Sequence, residues 1–172
     1  GNEYPCHPFP NVIKVKGQGP DIHPGDTVIG DFDVTNIDVD HDGITNSFAV
    51  PSKPVGYWTE DVKKALKEET AGNVMILSFM GTKTEEMTRD TYIEDFAKTC
   101  RSAVTTGVKV LEVNFSCPNF GKEGLICNDV AMSRDILQAL KSAKGNLPLL
   151  VKIGYFAPEQ QADLEALLTA IH

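Results

Sequence analysis

The alternation of hydrophobic and polar positions changes rhythm near residue 73. Beyond it, short apolar runs alternate with segments of helical period. Val74–Met80, Val108–Phe115 and Leu147–Ile153 are near-continuous apolar stretches, the pattern of strands covered on both faces. Asp90–Val104 puts Ile93, Phe96, Ala97, Cys100 and Val104 on one helical stripe. Asp129–Ser142 does the same with Met132, Ile136, Leu137 and Leu140. Pro158 suits the first turn of a further helix, along which Leu164, Leu167, Leu168 and Ile171 recur at helical spacing. The order β-α-β-α-β-α predicts an α/β fold with parallel strands, either a doubly wound sheet or part of a (β/α)8 barrel.

Upstream the pattern is weaker. Residues 1 to 30 are rich in Pro and Gly, with strand candidates at Val12–Lys16 and Thr27–Val34. Residues 1–42 are therefore expected to form a loop and hairpin region packed on a single domain, 1–172. Gly43–Ser52 reads as a strand running into a loop. Thr59–Glu69 reads as a covering helix capped by Thr59, with Val62, Ala65 and Leu66 on one face and Tyr57 and Trp58 packing it.

Composition narrows the function classes. A chain of 172 residues can bury one real core. Its net charge of -8 argues against nucleic acid or an anionic membrane as partner. The four cysteines show no C-x-x-C pair and no zinc spacing, which fits reduced thiols in a cytoplasmic protein. No run approaches the roughly 20 apolar residues of a membrane helix. Gly17-Gln18-Gly19 begins like a dinucleotide fingerprint, but position 22 is Ile, and Pro20 and Pro24 bar a long helix after it. Asp38, Asp40, Asp42 and Gly43 begin like a calcium loop. The bidentate acid would then fall at Ala49, so a solvated acidic turn is the better reading and no metal site is expected. The chain opens on Gly-Asn and closes within an apolar helical pattern, as expected for a section of a longer protein.

Candidate chemistry concentrates at Val108–Asn119, V-K-V-L-E-V-N-F-S-C-P-N. An apolar strand stops at Pro118, which cannot donate a ladder hydrogen bond. Asn114, Ser116, Cys117 and Asn119 therefore cluster where strand becomes loop. In α/β proteins that edge is where ligands bind. A cysteine is a proton acceptor once ionised.

At E-V-N-F-S-C-P-N the chain resembles the dihydroorotate dehydrogenase family, and within it the class 1 members, which use a cysteine base. Gly1-Asn2 with Pro5 resembles the family's G-N-x-x-P segment. I-T-N-S-F-A-V-P-S resembles its I-N-S-M-G-L-P-N, and L-L-V-K-I resembles its lysine-bearing strand. Ala49, Ser52 and the Ile-Gly-Tyr-Phe after Lys152 depart from the family pattern.

The resemblance implies a (β/α)8 TIM barrel, of which this chain supplies a central part with roughly half the strands, since a full barrel needs about 250 residues. It also implies an FMN-dependent oxidoreductase of pyrimidine biosynthesis that converts (S)-dihydroorotate to orotate. Cys117 would be the base. Asn46, Ser47, Phe48, Ala49, Val50, Asn114 and Asn119 would bind substrate, and Asn114 and Lys152 would contact FMN. A homodimer is implied, with an electron-transfer subunit as a possible partner. A chain lacking the flavin phosphate anchor would hold FMN poorly. Two alternatives stay open: a related barrel acting on another dihydropyrimidine, and a non-catalytic barrel domain.

Overall fold

The computed structural model describes residues 12–16, 30–31, 42–46, 53–117 and 124–171. The chain divides into two compact units, one of Cys6–Pro51 and one of Ser52–His172 together with Gly1–Pro5. In the first, β1 (Val12–Lys16) is the centre of a three-stranded antiparallel sheet. It pairs with β2 (Gly30–Asp31) on one side and β3 (Asp42–Asn46) on the other. The strand expected at Val12–Lys16 is β1, and of the one expected at Thr27–Val34 the described residues are Gly30–Asp31. Asp42 and Gly43 lie in β3, whereas Asp38 and Asp40 of the acidic turn, and Cys6, fall outside the described residues.

The second unit carries the regular pattern. Helix α1 (Val55–Leu66) leads to β4 (Ile76–Phe79), α2 (Arg89–Val104), β5 (Val110–Asn114), a short 3-10 turn (Ile126–Asn128), α3 (Val130–Ala143), β6 (Leu149–Lys152), a second 3-10 turn (Pro158–Gln160) and α4 (Gln161–Ile171). The three strands form a parallel sheet in the order β4-β5-β6, with Ile76 opposite Val110, Leu111 opposite Leu149 and Asn114 opposite Lys152.

Alternation along these strands separates two faces. Leu77, Phe79, Leu111, Val113 and Phe115 are buried on one, beneath the layer in which α2 packs on β4 and α3, and α3 on α4. Phe115 meets Phe96 edge to face at 6.0 Å, and Phe96 meets Tyr92 at 5.3 Å. With Ile136, Leu140 and Leu167, all fully buried, they form the core. Each such side chain contributes roughly 1.5–3 kcal/mol by leaving water. The other face carries Ile76, Ser78, Val110, Glu112, Asn114, Leu150 and Lys152. Among the described residues no helix covers it, and Ile76 and Leu150 are each 45% exposed there.

Several boundaries differ from the sequence reading. Pairing starts at Val110, because the turn through Gly107 (φ 87°) directs the Val108 N–H to the Thr106 hydroxyl at 3.4 Å. Val74 stands outside β4 and is exposed. Helix α1 begins at Val55, not at Thr59. The Pro54 carbonyl accepts from the N–H groups of Tyr57 and Trp58, and Thr59, one turn inside, donates to the Val55 carbonyl at 2.8 Å. Its side chain is thus occupied within the helix and does not cap it. Trp58 packs as expected, but Tyr57 points to solvent at 60% exposure. In α2 the buried stripe runs through Tyr92, Phe96, Ala97, Thr99, Cys100 and Ala103, so Ile93 and Val104 sit at its margin. Leu168 is exposed, leaving Leu167 as the buried residue of α4.

Candidate active site

The C-terminal edge of the parallel sheet is built from two strand ends tied together. The Phe115 N–H donates to the Lys152 carbonyl at 2.9 Å, extending the β5–β6 ladder by one bond. Directly afterwards the chain turns on Asn114, whose side-chain oxygen accepts from both the N–H and the hydroxyl of Ser116 at 2.9 Å. Those two bonds orient the amide, so that its NH2 group remains for another partner. Asn114 and Lys152 are register neighbours and share the uncovered face.

A third segment supports this edge from below. The Cys127 N–H donates to the Phe115 carbonyl at 3.2 Å, and the Cys127 sulfur accepts from the Gly154 N–H at 3.4 Å. The Ser133 hydroxyl holds the turn to α3 through the Ile126 carbonyl at 2.9 Å, and Asp129 caps α3 by accepting from Met132 N–H at 2.8 Å. Gly154 packs closely here: a Cβ would lie 2.5 Å from the tip of the Leu125 side chain, which would have to turn aside, and 3.6 Å from the Cys127 sulfur, an ordinary contact. The fully buried Cys127 is thus a packing residue.

Cys117 follows three residues after the end of β5 and is a free thiol, 8% exposed. Cys100 is also free but lies on the buried face of α2, and desolvation pushes its thiol up to about 11, only partly offset by Arg101 and Lys144. Lys152 stands in an apolar strand, yet strand alternation turns its side chain onto the uncovered face, where it is exposed. Among the described residues no carboxylate pairs with it.

The structure therefore sets Asn114 opposite Lys152 at one sheet edge, with Cys117 in the segment that directly follows β5. Asn46 is the last residue of β3, in the other unit, and its side chain lies outside the described residues. So do Ser47, Phe48, Ala49, Val50 and Asn119. Sequence reasoning overlooked Ser78 and Glu112, which share the face of Asn114. The Ser78 hydroxyl donates to Glu112 at 2.8 Å across β4 and β5. The parity of Glu112 with Asn114 was visible in L-E-V-N.

A family model for dihydroorotate dehydrogenase matches residues 29–170. The chain belongs to the dihydroorotate dehydrogenase family. It is 31% identical to a dihydroorotate dehydrogenase of Dictyostelium discoideum over 161 residues, covering 89% of this chain and 42% of that protein. It is also 29% identical over 111 residues to the catalytic subunit of an NAD(+)-linked dihydroorotate dehydrogenase B of Endomicrobium trichonymphae, covering 64% of this chain and 32% of that one. The chain thus spans less than half the length of the curated relatives it matches.

Proposed function

We propose that this chain carries the catalytic strand of an FMN-dependent oxidoreductase that converts dihydroorotate to orotate, with Cys117 as the base. The observation that carries the reading is the pairing of Asn114 with Lys152 at the C-terminal edge of a parallel sheet, with Cys117 three residues beyond the end of the same strand, within a chain of this family. Three parallel strands with helices on one face only are what a segment of a (β/α)8 barrel would present, the bare face being the barrel interior. One domain built on that barrel, with the antiparallel strands as an appendage, is the organisation we infer.

The residues present suit a flavin. Among the described residues Lys152 offers an unpaired ammonium and Asn114 a free amide NH2, directly opposite each other in the sheet register. When bound, FMN supplies the two-electron acceptor of the reaction. The rest falls to the protein. The Cys117 sulfur takes the ring proton as a thiolate. Asn114, fixed by Ser116, orients the bound ring by donating from its amide. Asn119 and the segment Asn46, Ser47, Phe48, Ala49 and Val50 complete the substrate contacts. The Lys152 charge favours the electron-rich form of a ring placed against it.

A cytoplasmic enzyme is the reading we favour; among the described residues no helix is long and apolar enough to cross a membrane. The naming of the Endomicrobium relative as a catalytic subunit supports an electron-transfer subunit as partner, and the expected homodimer follows the family resemblance. The full-length parent protein tests the cofactor and substrate together. It should purify with close to one flavin per polypeptide, and anaerobic dihydroorotate should bleach the flavin absorbance. Flavin that persists on dihydroorotate but bleaches with another dihydropyrimidine would transfer the assignment to that substrate.

A further inference from the structure

Glu112 is a carboxylate at mid-strand on the central strand of the sheet, where alternation assigns it to the same face as Asn114 and Lys152. Its register partners are Ser78 on one side and Leu150 on the other. One oxygen is satisfied by the Ser78 hydroxyl at 2.8 Å, and among the described residues the second has no partner. Lys152 stands one row further along the neighbouring strand. Two residues of rise and one strand spacing put the two Cα atoms about 8 Å apart, within the combined reach of a Glu and a Lys side chain. Both groups tolerate this separation while the face is open to water. Once the face is covered, an unpaired carboxylate and an unpaired ammonium would each cost several kcal/mol.

We infer that Glu112, held by Ser78, is the counter-ion and positioning residue of Lys152: when the sheet face is covered, its free oxygen takes the ammonium and fixes where that charge lies. The inference deepens the proposed function, on which it rests for the role of Lys152. Glu112 touches neither substrate nor cofactor and acts through the lysine. The row below Asn114 is thereby chemically specified, because an apolar side chain at 112 would leave Lys152 without an anion on the neighbouring strand β5.

The test is a mutant cycle in the full-length parent protein, comparing wild type, Glu112→Gln, Lys152→Met and the double variant by thermal unfolding and by FMN retained per polypeptide. Each single variant should lower Tm. The double variant should lose clearly less than the two losses added, since removing both charges leaves neither one buried alone. Glu112→Gln should retain FMN several-fold less tightly, and adding it to Lys152→Met should weaken retention no further. Glu112→Asp should recover part of the loss. Additive Tm losses, or a Glu112→Gln effect on FMN that persists without Lys152, would overturn the inference. Should Glu112→Gln fail to accumulate folded, recovery of folding in the double variant supports the pairing and continued failure contradicts it. A wild-type protein without flavin would sink the cofactor reading alone, and the Tm cycle would still decide the pairing.

Discussion

Cys100 and Cys117 are both buried free thiols, and the sequence separates them only through their neighbours. Cys100 recurs on the buried stripe of a helix, whereas Cys117 sits between a serine and a proline at a strand end. The structure gives the first a clear physical consequence. Its thiol is pushed from an ordinary value of 9.0 up to about 11 by burial. A folded pKa above the unfolded one means that this group's share of stability is whole below about pH 9 and is lost as pH rises through about 11. Tm should therefore fall over that alkaline window, and Cys100→Ala, though less stable at neutral pH, should show a shallower fall. An equal slope in both proteins would assign the decline to other groups. Lys152 shows the opposite limit of sequence reading. Its apolar neighbours suggested burial, but a strand of alternating faces can be apolar on one side and bare on the other within this chain. Which face is covered depends on elements beyond the strand itself.

At the level of elements, the three parallel strands and the helices α2, α3 and α4 were legible because period and length agreed. Their ends were less so. Thr59 has the chemistry of an N-cap but bonds back to Val55 within a helix that Pro54 starts. Thr88 and Asp129 are the caps that act, each accepting from the backbone N–H three residues on. Thr88→Ala and Asp129→Ala should each cost about 1 kcal/mol in denaturant unfolding, whereas Thr59→Ala should cost less than either. Close packing between elements was not legible, because it depends on contacts distant in sequence. A Cβ at Gly81 would lie 2.6 Å from the ring of Phe96, a fully buried side chain with no room to move. At Gly154 the closest obstacle is the tip of the half-buried Leu125 side chain, which can turn aside. Gly81→Ala should accordingly destabilise by about 1–3 kcal/mol and Gly154→Ala by less. The reverse order would show that the core around Phe96 yields more readily than its burial implies.

For the molecule as a whole, the asymmetry of the sheet is the organising feature. Helices bury one face around Phe79, Phe96 and Phe115, while the other presents Ser78, Glu112, Asn114 and Lys152 together with two exposed aliphatic side chains, Ile76 and Leu150. A face both polar and apolar is poorly suited to bulk water, and in the proposed barrel it would become the interior beneath the cofactor. The motif N-x-S-C-P-N pointed to this edge because its residue types are specific. Glu112 escaped notice because one acid in an apolar strand has no motif around it, and its meaning comes from the register with Ser78 and Lys152.

The central claim is that Cys117 removes the substrate proton. The most direct measurement mixes the full-length flavoprotein with dihydroorotate under anaerobic conditions and follows flavin bleaching in wild type and in Cys117→Ala. Rapid bleaching in wild type, slowed by at least a hundredfold in the variant, as expected when a general base is removed, with flavin content unchanged, is the predicted result. Equal bleaching rates in the two proteins would contradict it.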